Sequence, residues 1–123
     1  MIYAVAGFIL FIPFLVAQTT PVPSSVPEEA RRHFVMGMTL SKDAKTADDF
    51  VHVESEFKQA ADLASQWPDP RYNLALTDEA AGDYAKAMAD LKLYQQFKLS
   101  DTEARTVQDK IYALEGGWPT HKR

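Results

Sequence analysis

The sequence predicts an all-α domain of about five antiparallel helices behind an apolar leader. Three observations carry that prediction: sharply marked helix starts, apolar residues at helical spacing, and a helix pair that recurs further along the chain. No stretch alternates apolar and polar residues as a half-buried strand would.

The starts come first because they set the boundaries. Ser25 and Glu28 have the capping-box spacing, in which a hydroxyl and a carboxylate satisfy free backbone N–H groups. Thr46 with Asp49 and Ser100 with Glu103 repeat it. Asp69 before Pro70 places a capping acid ahead of proline in the first turn. Gly82 suits the left-handed end of one helix, and Asp83 caps the next. Gly116 and Gly117 read as a final stop. These signals predict helices over 26–42, 47–66, 70–81, 84–98 and 101–115.

Within them the apolar residues share one face. Phe50, Val53, Phe57, Ala60 and Ala64 do so in the second helix, and Tyr84, Ala87, Met88, Leu91 and Tyr94 in the fourth. Ala104, Val107, Ile111 and Leu114 do so in the fifth.

The chain has 123 residues and a formal net charge of -4, enough for one small domain. Mild acidity without a run of lysine or arginine disfavours a nucleic-acid surface. Zero cysteines exclude disulfides, thiol catalysis and thiolate metal sites. Every charged side chain lies at Glu28 or beyond. Residues 1–17, "MIYAVAGFILFIPFLVA", would span roughly 25 Å as a helix, short of a ~30 Å hydrocarbon core, and Pro13 interrupts them. They read as a signal peptide cut after Ala17, with a retained membrane anchor as the alternative; either puts the rest of the chain outside the cytoplasmic membrane, in the periplasm or cell envelope. Residues 18–25 form a spacer rich in Pro, Ser and Thr.

The second and fourth helices align at a constant offset of 34: Phe50 with Tyr84, Val53 with Ala87, Phe57 with Leu91, Ala60 with Tyr94, Leu63 with Phe97. The first and third align at 38, pairing Phe34 with Tyr72, Met36 with Leu74, Gly37 with Ala75 and Met38 with Leu76. Four extra residues around "SKDAKT" account for the difference.

A helix hairpin repeating at 34 residues resembles the tetratricopeptide repeat. The resemblance implies a short right-handed α-solenoid: repeat 1 over 26–67, repeat 2 over 68–100, a capping helix over 101–116 and a tail over 117–123. It departs from the usual pattern where Arg71 and His33 replace an early aromatic, Val53 a small residue and Leu99 a closing proline. His33 is expected to stand in as a packing group.

The resemblance also implies a groove lined by the first helix of each hairpin. By position it contains Arg31, Phe34, Met38 and Ser41, then Tyr72, Asn73, Leu76 and Glu79. Exposed apolar anchors there would suit a protein or peptide partner. A carboxylate clamp is poorly matched, since only Asn73 falls in place.

No catalytic constellation stands out, and no cofactor or metal is expected. His33, His52 and His121 share no ligand spacing, and the acid pairs Asp48-Asp49, Glu54-Glu56 and Asp78-Glu79 read as solvated helix residues. The tail 117–123 is expected to be loose with some packing of Trp118 onto the cap. The sequence thus points to a non-catalytic adaptor of the cell envelope, with an accessory subunit or homo-oligomer as the alternative.

Overall fold

The computed structural model describes residues 23–122, so the apolar leader 1–17 and most of the spacer lie outside the described residues. Among the described residues there are five α-helices and no strand: α1 Glu28–Ser41, α2 Ala47–Leu63, α3 Asp69–Ala80, α4 Tyr84–Tyr94 and α5 Asp101–Lys122. The chain is all-α. None of these helices is long and apolar enough to cross a membrane.

Three of the expected helix starts form. Thr46 Oγ1 accepts from the Asp49 N–H at 3.1 Å while the Asp49 carboxylate accepts from the Thr46 N–H at 3.0 Å, closing the capping box. Ser100 and Glu103 make the same reciprocal pair. Asp83 accepts from the Lys86 N–H at 3.1 Å. The end of α3 is a Schellman motif: the Asp83 N–H reaches the Asp78 carbonyl at 2.8 Å and the Gly82 N–H the Glu79 carbonyl at 3.0 Å. Gly82 takes φ 86°, which a side chain would resist.

Other expectations need correction. Ser25 does not cap α1; the Val26 N–H closes a turn onto the Pro23 carbonyl, the helix starts after Pro27, and Glu28 pairs with Arg31 instead. Asp69 is the first residue of α3 and makes no cap. Helix α2 stops at Leu63, because Ala64 leaves helical geometry and the chain turns back to bury Trp67. Helix α4 stops at Tyr94, where tighter bonds from Gln96 to Leu93 and Phe97 to Tyr94 fold Phe97 against the Tyr94 ring, 6.1 Å away. Helix α5 runs through Gly116 and Gly117 to Lys122; a glycine ends a helix only where a motif such as that at Gly82 holds it left-handed. The side chains of Trp118 and His121 lie outside the described residues.

Each helix packs on its neighbours in the chain. One core cluster joins Ala30 and Phe34 of α1 to Val53, Phe57 and Ala60 of α2, with Trp67 and Leu74 closing it. The Phe34 ring lies 5.6 Å from Phe57 and 4.7 Å from Trp67, in tilted arrangements. The second cluster joins Tyr72 and Ala75 of α3, Ala87, Leu91 and Tyr94 of α4, and Val107, Ile111 and Leu114 of α5. Helix α3 is common to both: Leu74 faces the first cluster, Tyr72 and Ala75 the second.

Candidate functional site on helix α3

Because α3 is packed on two sides, polar residues are drawn into the interior with it. Asp69, Asn73, Thr77 and Asp78 are all buried. Asn73 donates to the Asp69 carbonyl at 2.9 Å and Thr77 to the Asn73 carbonyl at 2.8 Å, so both amide and hydroxyl are satisfied one turn back.

The expected groove residues separate into two groups. Phe34, Tyr72 and Asn73 are core residues, at 6%, 5% and 3% exposure, so they present no free anchor to a partner. Phe34 is held by Phe57 and Trp67; Tyr72 stacks at 5.0 Å on Tyr94. Met38 and Leu76 are half-buried at the edges of the two clusters. Ser41 is half-buried and donates to the Met38 carbonyl. Arg31 is exposed and pairs with Glu28 at 3.3 Å; Glu79 pairs with Lys110 of α5 at 2.9 Å. What remains open along the first helices is therefore Arg31, Met38, Ser41, Leu76 and Glu79.

The acid pairs are not merely solvated. The Glu56 carboxylate reaches His33 Nδ1 at 2.7 Å, tying α2 to α1, so His33 is a polar bridge and not an apolar filler. His52 is exposed beside Asp48. Glu54 of α2 is ion-paired with Lys86 of α4, which also stands 3.8 Å from Asp78 of α3. Arg71 of α3, which departs from the usual early aromatic of the repeat pattern, meets Asp90 of α4 at 3.3 Å.

Asp78 lies at the centre of this junction, 3% exposed, and its Oδ2 has no protein donor. Burial, then the adjoining Asp90 carboxylate and Glu54, push its carboxyl up to about 8, against the pull of Lys86. Asp69 is pushed up to about 6, chiefly by burial; the Trp67 indole opposes the shift from outside hydrogen-bond geometry. Sequence reading missed both, because helical spacing alone cannot show that α3 is covered on two sides.

Among the described residues, no group of three or more His, Asp or Glu is arranged to hold a metal ion. A shallow cleft of about 310 Å³ lies between Pro23–Pro27 and the Leu63–Trp67 turn, away from the groove residues.

No protein-family model matches the chain, and neither a curated protein nor a solved structure matches it. The class that the fold defines is an all-α protein of two successive helical hairpins closed by a fifth helix.

Proposed function

We propose that the chain is a non-catalytic protein-interaction module of the tetratricopeptide type, acting as an adaptor or scaffold in the cell envelope and binding a protein or peptide. One observation carries this reading. Two hairpins follow one another with their second helices aligned at an offset of 34 and their first at 38, and α3 packs on both its own partner and the preceding hairpin, as stacked repeats must. The open face that remains, with Arg31, Met38, Ser41, Leu76 and Glu79, combines apolar edges with one cation and one anion, which suits an extended peptide. Export rests on residues 1–17 alone, as a signal peptide or anchor.

A second reading, an accessory subunit or homo-oligomer, is favoured by Val35, Met36 and Leu40, which are 50%, 40% and 43% exposed on the outside of α1.

The test is crosslinking of the tagged full-length protein in its native envelope, with recovery read by mass spectrometry. The controls are Arg31→Glu, at an exposed position, and Leu76→Gln, at the edge of the second cluster, each checked for an unchanged helical circular-dichroism spectrum. One stoichiometric partner, lost with those substitutions, is the expected result. Recovery of the protein alone would sink the adaptor reading and favour the second.

A further inference from the structure

Helix α3 shows what a first helix of a hairpin does when another helix precedes it. Leu74 packs into the first cluster at 3% exposure, and Asn73, Thr77 and Asp78 are buried with it. Thirty-eight residues earlier, the matching positions on α1 are Met36, Val35, Thr39 and Leu40, and all four are exposed. Among the described residues no helix precedes α1 to cover them. The face that docks α3 onto its predecessor is therefore present on α1 without an occupant among the described residues.

Its charge pattern says what the occupant is. Arg32, Met36, Thr39 and Asp43 recur at intervals of four, three and four, forming one narrow stripe opposite the buried Phe34 side. Asp43 follows the last turn of α1, its N–H still bonded to the Leu40 carbonyl at 3.3 Å. Val35 and Leu40 flank the stripe. These six positions are symmetric about the midpoint between Gly37 and Met38: Arg32 mirrors Asp43, Val35 mirrors Leu40 and Met36 mirrors Thr39.

We propose that this face is the two-fold interface of a homodimer in which α1 lies antiparallel to the partner's α1. A dyad at that midpoint sets Val35 against the partner's Leu40 and Met36 against the partner's Thr39. Arg32, which pairs with Glu29 at 3.1 Å in its own chain, then also meets the partner's Asp43, and symmetry repeats each pair, as an isologous contact requires. The apolar centre supplies the association and the two end pairs fix the antiparallel register. One helix pair falls below the ~1,200 Å² of a standard interface, so the dimer is weak and concentration-dependent. This inference goes beyond the adaptor reading and does not depend on the open face at Leu76.

Sedimentation equilibrium of the full-length chain over a wide concentration range tests it. The wild type is expected to rise from 13.8 kDa towards twice that mass. Arg32→Asp sets like charges opposite one another twice and should weaken association roughly tenfold. The exchange Arg32→Asp with Asp43→Arg should restore it, and Met36→Asp should abolish it; all are exposed positions, so the variants keep their fold. A monomer at every concentration overturns the proposal. So does a dimer indifferent to Arg32→Asp and Met36→Asp, which would place association on another surface such as the apolar first seventeen residues.

Discussion

A Cβ atom added to Gly37 would lie 2.7 Å from Cε1 of the Phe57 ring, closer than such atoms approach one another. Gly37 thus leaves the room that the Phe57 ring occupies between α1 and α2, and Phe57, 1% exposed, is itself enclosed by the core. Gly37→Ala is expected to destabilise the domain by about 1–3 kcal/mol despite alanine's better helix propensity. Gly116 lies inside α5 with open space where its Cβ would be. There Gly→Ala should instead stabilise by about 0.5–1 kcal/mol. Thermal melts of the two variants, moving in opposite directions, check both.

Asp78 makes stability depend on pH with a defined sign. Burial pushes its carboxyl up to about 8 in the folded chain, from an ordinary 3.8 when unfolded. Between those values the folded chain holds a proton that the unfolded chain has released, so stability falls as pH rises from about 4 to about 8. Asp78→Asn removes the ionisation. The variant should lose that slope and be more stable than wild type at pH 9, by on the order of 2–4 kcal/mol. Urea midpoints at pH 4, 6 and 9 measure it, and a slope unchanged by the substitution would refute the assignment.

Asp69 adds a smaller step of the same sign, ending near pH 6. Asp69→Asn should reduce the slope between about pH 4 and 6, where Asp78 also contributes, and leave the slope above pH 6 unchanged. Only Asp78→Asn alters the slope above pH 6, which distinguishes the two in the same urea series.

Phe34 and Tyr72 each fill a cluster, with ring partners at 4.7–5.6 Å. Phe34→Ala should cost about 3–5 kcal/mol and lower the melting temperature steeply. Tyr72→Ala should behave alike, so neither substitution can report on partner binding separately from folding. Lys110→Ala, which removes a half-exposed ion pair to Glu79, should cost no more than about 1 kcal/mol. Denaturation of the three variants side by side ranks core against surface.

Much of the fold was legible in residue order because its causes are local. A hydroxyl and a carboxylate three residues apart cap α2 and α5 wherever the chain goes next, and Gly82 before Asp83 ends α3 and begins α4 by backbone geometry alone. The apolar stripes of α2 and α5 likewise named Val53, Phe57, Ala60, Val107, Ile111 and Leu114 as core. Signals that depend on competition between local options misled. Ser25 lost its cap to a turn closed by Pro23, and the glycine pair of α5 stayed helical because nothing holds it otherwise.

The candidate site was less legible, for a reason of packing. Sequence placed Phe34, Tyr72 and Asn73 on a helix face but could not tell a free face from one already covered. It read Asp78 as solvated because acids on helices usually are. Only the arrangement of α2, α3 and α4 decides that Asp78 is enclosed by Glu54, Lys86 and Asp90 while Leu40, its counterpart thirty-eight residues earlier, is left open. The sequence by itself determined the helices, their order and the repeat that relates them, since caps, glycines and 3.6-residue spacing act over a few residues. Tertiary structure decided which faces are buried and which charges lose their water, because burial is a property of what lies across the gap.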